Sequence, residues 1–412
     1  MAIENNLYHV RTMFPPCDVP DPQMTDEREA CRQLFCALSS ATGITPKWGT
    51  LTGIRPVKLA DIDLETEFLV APDKAKIIKD IAALQSTLTQ PAKGSFSLYI
   101  SIPFCPTRCS YCSFISEHNP SDELVEEYVR CLCEEIKLTG SLAGRGPSTV
   151  YIGGGTPTFL SHLQLDRILK CVHSSFDMSG CSEITVEAGR PDTVTAEKLA
   201  VLKENGTTRV SINPQTFDDN VLKEIGRGHT TKQTLDAFAL AAKYDFPVVN
   251  ADLIAGLPKE DLQGFKKSVD TLLKLGVNNV TVHTLCVKRS SRIHEESGKG
   301  LAYSKSEAEA MLDYAYSTLG EAGLKPYYLY RQKLSLDGLE NVGFALAGTE
   351  CLYNVNIMAD NQTILACGAG GVSKIVGNTM QRSWGFKYAA EYVRNFEEIL
   401  RRKRNLGLKD FL

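Results

Sequence analysis

Between Tyr99 and Phe114 the chain reads Y-I-S-I-P-F-C-P-T-R-C-S-Y-C-S-F, which puts Cys105, Cys109 and Cys112 in a C-x3-C-x2-C spacing. Three thiolates on one short loop can hold three irons of a cubane [4Fe–4S] cluster and leave the fourth iron open to another ligand. A tetrahedral zinc site would need a fourth protein ligand, for which His118 is the only local candidate, and no second cysteine pair follows at finger spacing. Downstream, Gly153-Gly154-Gly155-Thr156-Pro157-Thr158 follows a short apolar run, and glycines in such a turn let backbone amides and carbonyls approach a ligand closely. Glu187, Gln215 and Asp252 end later apolar runs, where their side chains can bond nucleoside hydroxyls. Arg227, in I-G-R-G-H, has the fork that grips a carboxylate with two parallel hydrogen bonds. His229 is read as the cap of the following helix, and His283 either faces a site or is a satisfied core histidine.

These residues need a scaffold that brings them to one place, and the pattern from Ser97 onward supplies one. Apolar runs Leu98–Ile102, Thr149–Ile152, Glu183–Val186, Arg209–Ile212, Val248–Ile254 and Asn279–His283 alternate with helix-period segments, which argues for parallel β/α units. Six such units make a partial (β/α)6 barrel, and ligands of β/α barrels bind at the C-terminal ends of the strands. The polar residues above all fall at those ends. The first helix of the series spans about 122–140, with Ser121 as its N-cap and Leu124, Val125, Tyr128, Leu132 and Ile136 on its inner face. Residues 1–94 form an accessory unit before the barrel at 95–300, and residues 301–412 form an α+β extension that covers the substrate. The extension begins with a helix at 306–322, runs on as short strands and turns over 326–375, and closes with a helix at 386–403 whose basic end complements its dipole.

The chain has 412 residues, 43% of them hydrophobic and 23% charged, with a formal charge of -4. That charge gives no sign of a nucleic-acid or anionic-membrane surface. No secretory leader and no bilayer-length apolar run is present, so the expectation is a cytosolic protein. Thirteen scattered cysteines in a long chain fit reduced thiols better than a disulfide framework. In the accessory unit, T-P-K-W-G-T-L-T-G-I-R-P-V-K at 45–58 is a loop with apolar anchors. Its Arg55 and Lys58 are read chiefly as solvated or helix-capping, with an anionic ligand as the alternative.

The cysteine motif resembles that of the radical S-adenosylmethionine (SAM) enzymes. Together with Y-I-G-G-G-T-P-T, V-E-A-G-R-P-D-T, R-V-S-I-N-P-Q-T-F, I-G-R-G-H and D-L-I-A-G-L-P, it is similar to the oxygen-independent coproporphyrinogen III oxidase family. E-A-G-R-P-D-T, S-I-N-P-Q-T, T-V-H-T-L-C-V-K-R-S, Y-Y-L-Y-R-Q-K and G-T-L-T-G-I-R-P-V-K resemble in particular its HemZ-type branch, the coproporphyrinogen dehydrogenases. The resemblance implies that Cys105, Cys109 and Cys112 bind a [4Fe–4S] cluster. It also implies that Tyr99, Gly154, Gly155, Thr156, Glu187, Gln215, Arg227 and Asp252 line the SAM site, with Tyr99 and Arg227 next to the chemistry. The implied reaction uses an electron from a donor such as a flavodoxin or ferredoxin to cleave SAM. The resulting radical takes a hydrogen from a propionate of coproporphyrinogen III, and two decarboxylations give protoporphyrinogen IX. Arg289, Arg292, Arg331 and Lys333 are the candidate cations for the substrate carboxylates. Phe114 and Ser101 stand where founding members carry a cysteine and a histidine, and the chain lacks the C-terminal H-N-x-x-Y-W motif of the related haem chaperones. A haem-binding carrier and a radical methyltransferase or cyclase remain alternatives.

Overall fold

The computed structural model describes residues 2–22, 26–89, 91–112, 117–287, 307–332, 335–377 and 379–408. Its centre is a sheet whose first six strands are β1 (Phe96–Ile102), β2 (Thr149–Gly154), β3 (Glu183–Glu187), β4 (Arg209–Ser211), β5 (Val248–Ala255) and β6 (Asn279–Thr284). All six are parallel and lie side by side in chain order, as the alternation of strand and helix patterns predicts. Strands of a parallel sheet are covered on both faces and so read as nearly continuous apolar runs. In β1 only Tyr99 is less than fully buried, and its half-buried side chain faces the site described below.

The helices between these strands begin where local side chains satisfy the first free backbone amides. Ser121 Oγ accepts from Leu124 N at 3.2 Å, and Val125, Tyr128, Leu132 and Ile136 are buried on the predicted face. Ser161 with Gln164, and Thr230 with Gln233, form reciprocal capping boxes. The cap before the helix Thr231–Ala241 is therefore Thr230, not His229.

Five more strands join the same sheet, an outcome the sequence pattern did not disclose. β7 (Lys325–Arg331) and β8 (Glu340–Ala345) extend it antiparallel beyond β6. β9 (Thr363–Cys367) pairs parallel with β1, and β10 (Val372–Ile375) and β11 (Gln381–Trp384) continue antiparallel from it. The order is β11-β10-β9-β1-β2-β3-β4-β5-β6-β8-β7. The 326–375 region also carries a helix, Leu352–Ala359, and the closing helix is two, Ala389–Arg394 and Phe396–Arg404. Lys403 does not cap a dipole in solvent. It is buried, with Nζ 3.3 Å from Glu135 Oε1 and bonded to Ala366 O.

At the N-terminal end, Leu7 and Val10 of the helix Ala2–Arg11, with Phe14 just after it, pack with Ala30, Leu34 and Phe35 of the helix Glu27–Thr42. A second small core of Trp48, Leu51, Leu64, Ile78 and Ile81 includes Leu329 from β7. The segment read as a loop into a helix at Lys58 is a single 3-10 turn, Pro56–Leu59. A buried ionic knot ties this part to the sheet. Glu340 on β8 accepts from Trp48 Nε1 at 2.7 Å, Lys74 Nζ at 2.5 Å and Tyr316 OH at 3.0 Å. Lys74 and Glu340 are 2% and 0% exposed, so the carboxylate keeps its charge only because three donors replace water.

Arg331, expected among the substrate cations, belongs to this anchorage. Its guanidinium lies over the Trp48 ring and donates to Leu51 O and Gly338 O, while its backbone amide donates to Ile54 O. It is a strut between β7 and the N-terminal segment.

Candidate active site

A cavity of about 690 Å³ opens at the C-terminal ends of β1–β6, and every residue singled out above for the cluster and SAM lines it. Its floor is the cysteine loop locked to the glycine turn. Gly155 N donates to Ile102 O and Thr156 N to Phe104 O, both at 2.8 Å, so the turn after β2 continues the ladder of the segment entering the cysteines. Thr156 Oγ1 lies 3.2 Å from Cys105 Sγ. A Cβ on Gly155 would sit 2.6 Å from Phe104 O and 3.1 Å from Cys105 Sγ, and Gly154 has φ +114°, where a side chain is strained. The glycines are required by this close approach.

The far side of the loop is held by Ser110 N donating to Ile225 O at 2.9 Å and by Arg227. Arg227 Nη2 donates to Gly189 O and Asn213 O at 2.6 Å each, and Nη1 reaches Tyr111 OH at 3.1 Å and Cys109 Sγ at 3.7 Å. Burial works against its charge, but Tyr111 and Cys109 outweigh it and hold the guanidinium firmly protonated. Much of its donor set is thus committed within the protein, and Nε, buried, has no protein partner among the described residues. His118 sits beside the loop with Nδ1 3.3 Å from Cys105 O. Among the described residues no three His, Cys, Asp or Glu side chains stand close enough to hold a single ion.

Above the floor, Glu187 at the end of β3 accepts from Tyr151 OH. Its burial, with Asp252 adding like charge, pushes its carboxyl up to about 7. Gln215 takes a left-handed backbone (φ +70°) in which Gln215 N donates to Asp252 O and Gln215 O accepts from Ile254 N. Its Oε1 is buried with no protein partner among the described residues. Asp252 accepts from Asn250 Nδ2 at 2.8 Å, and the same amide donates to Ser211 Oγ, which bonds Asn213 Oδ1 at 2.6 Å. His283 faces the cavity. Its Nε2 is 3.7 Å from Asp252 Oδ2 and its Nδ1 is 3.3 Å from Asn341 Oδ1. Burial alone would lower its basicity, yet the hydrogen bond and charge of Asp252 raise it overall. His229, by contrast, does not line this cavity, and burial beside Arg227 and Arg190 drives it down to about 3.

One wall is aromatic. The rings of Tyr99, Tyr151 and Tyr353 stack with centroids 4.5–6.2 Å apart, and Tyr328 and Tyr330 add a second stacked pair at 6.4 Å. Sequence reasoning named only Tyr99 of these; Tyr151 was visible in Y-I-G-G-G, while Tyr353 arrives from a distant helix. Lys374, Arg382 and Cys286 also line the cavity without having been assigned a role there, and so does Arg55, whose alternative reading was an anionic ligand. Arg289, Arg292, Lys333 and Phe114 lie outside the described residues.

The residues present fit a cluster and SAM. Three thiols and a sterically required glycine cradle share the floor, and an unpartnered buried Gln215 carbonyl waits for a donor. An α/β sheet of six sequential β/α units with three cysteines on the loop after its first strand defines a radical SAM protein. The Radical SAM superfamily model matches residues 99–272. The chain is 38% identical over 384 residues to the oxygen-independent coproporphyrinogen-III oxidase-like protein HemZ of Bacillus subtilis, covering 86% of this chain and 76% of that protein. It is 32% identical to the heme chaperone HemW of the same organism, covering 76% of this chain and 83% of that protein. Coproporphyrinogen III oxidase (HemN) from Escherichia coli shares the fold, with a TM-score of 0.62 at 22% identity over 77% of this chain and 73% of that one. The chain belongs to the radical SAM superfamily and, within it, to the HemN/HemZ/HemW family. Proteins of this superfamily use a [4Fe–4S] cluster and SAM.

Proposed function

We propose that this protein decarboxylates the propionates of coproporphyrinogen III to vinyl groups, giving protoporphyrinogen IX without oxygen. The observation that carries the reading is one continuous cavity that joins the cysteine floor to a wall of stacked tyrosines. Such a wall offers flat apolar faces and polar tips to a macrocycle of four pyrroles, each flat in itself, joined by methylene bridges and rimmed with polar groups. The kinship with the HemZ protein supports the same choice.

Cys105, Cys109 and Cys112 would hold the cluster. The backbone of Gly154, Gly155 and Thr156, the Glu187 and Asp252 carboxylates, the Gln215 carbonyl and Arg227 Nε would hold SAM. When bound, this pair supplies one-electron chemistry that removes a hydrogen atom from the substrate, drawing on a reducing donor such as a flavodoxin or ferredoxin. The protein's part is placement and exclusion of water. Arg227 braces the cysteine loop against the segment that follows β4, Tyr99 and Tyr151 wall the space above it, and His283 with Asp252 can hold a proton at Nε2. Each propionate loses one hydrogen atom, one electron and carbon dioxide. Thirteen free thiols suit a reducing compartment such as the cytosol, and among the described residues no helix is long and apolar enough to cross a membrane.

The test is anaerobic turnover of the reconstituted protein with dithionite, SAM and coproporphyrinogen III, followed by mass spectrometry. The reading expects 5′-deoxyadenosine together with a porphyrinogen lighter by carbon dioxide and two hydrogens per vinyl group. 5′-Deoxyadenosine without any porphyrinogen change would point instead to a methyltransferase or cyclase. Stable haem binding without SAM cleavage would favour a haem carrier, the reading that the HemW relatives suggest.

A further inference from the structure

One end of the cavity carries more positive charge than the described residues neutralise. Arg55, Lys374 and Arg382 line it, and Lys58 stands beside them. Arg55, Lys58 and Lys374 all converge on one carboxylate, Asp360, the latter two at 2.9 and 3.0 Å. Among the described residues Arg382 makes no ion pair, and no second carboxylate pairs with any of the four. Four cations against one carboxylate leave three formal positive charges at this spot.

The strand register makes the excess harder to explain as structure. Lys374 on β10 is the direct cross-strand partner of Arg382 on β11, and like charges facing each other across an antiparallel ladder destabilise it. Lys374 is also buried, at 8% side-chain exposure. Burial, then repulsion from Arg55 and Arg382, pulls its ammonium down to about 8, and Arg55 is lowered by the same two causes. A fold under selection for stability alone would carry another residue at one of these positions. Arg55 itself is delivered from the N-terminal part by the anchorage described above, where Arg331 N bonds Ile54 O. That part therefore contributes a side chain to the site.

We propose that Arg55, Lys374 and Arg382, with Lys58 at the rim and Asp360 holding the group in place, form a carboxylate site that grips propionates of the substrate other than the one being decarboxylated. The choice of ligand rests on the porphyrinogen reading; the existence of the anion site does not. Arg supplies planar two-point recognition of a carboxylate and Lys a point charge, and partial burial strengthens both.

The test uses coproporphyrin III, the stable fluorescent tetracarboxylate, titrated anaerobically into reconstituted protein, with citrate as a polyanion lacking the macrocycle. Arg382→Gln changes an exposed strand residue and so reports binding even if Arg55→Gln impairs folding; cluster absorbance and thermal melting check both. The proposal expects each variant to raise the coproporphyrin III dissociation constant about tenfold and to flatten its salt dependence, because one released charge contact is lost. If the parent protein binds coproporphyrin III and both variants stay within threefold of it, the carboxylate site is refuted while the porphyrinogen reading stands. If the parent ignores coproporphyrin III but binds citrate in a way Arg382→Gln abolishes, the anion site stands and the porphyrinogen reading falls. Binding of neither probe overturns both.

Discussion

Replacing Gly155 by alanine tests whether the glycine turn and the cysteine loop act as one unit. The added Cβ would lie 2.6 Å from Phe104 O, 3.0 Å from Phe104 C and 3.1 Å from Cys105 Sγ. Ordinary contact begins near 3.4 Å, so the carbonyl must retreat by about 0.8 Å. It cannot retreat freely, because Thr156 N is bonded to that same oxygen. Overpacking of this kind costs about 1–3 kcal/mol, and the displacement is passed to Cys105, one residue on. A shift approaching 1 Å at a reacting centre costs on the order of a hundredfold in rate. The assay is thermal melting, iron content after anaerobic reconstitution, and SAM cleavage, with Gly320→Ala as the control. Gly320 sits exposed on a helix with nothing within 4 Å of its would-be Cβ, so alanine there should stabilise by about 0.5–1 kcal/mol. A Gly155→Ala protein with parental melting, iron content and SAM cleavage would refute the reasoning.

Lys74→Met strips the Glu340 carboxylate of its buried counter-ion and should cost about 3–5 kcal/mol in denaturant unfolding, part of it regained by adding Glu340→Gln; a loss under about 1 kcal/mol contradicts the anchoring role. Glu187 gains its charge only as pH rises through about 7, so the SAM dissociation constant should rise as pH falls below that point, by up to about tenfold per unit. Glu187→Gln should flatten this profile, and a flat parental profile between pH 6 and 8 would count against Glu187 as the ribose acceptor. Cys109→Ala should abolish cluster absorbance and SAM cleavage together, and SAM cleavage persisting in that variant would sink the cluster assignment.

The parallel half of the fold was legible because each β/α unit announces itself: an apolar run, a glycine or polar residue at its end, then a capped amphipathic helix. That is why Glu187, Gln215 and Asp252, far apart in sequence, could be assigned to one rim. Strands were expected over 326–375, but their place in this sheet was not legible, because β9 reaches β1 only through a return across more than 200 residues, which no local pattern encodes. Arg331 misled for a different reason. A cation in an aromatic-rich strand looks like a ligand group, and only the packing shows Trp48 beneath it and two carbonyls at its fork. Arg55 had an anionic ligand only as its alternative reading, and Lys374 and Arg382 were missed, because their convergence joins three segments and Lys374 faces Arg382 only once the register of β10 and β11 is known.

The most direct test of a single site holding cluster, SAM and porphyrinogen uses coproporphyrinogen III deuterated on the propionate carbon next to the ring. In one anaerobic turnover, the account predicts deuterium in the 5′-deoxyadenosine and a matching deficit in the vinyl product. 5′-Deoxyadenosine formed without deuterium, while the porphyrinogen keeps its label and its carboxylates, would contradict it.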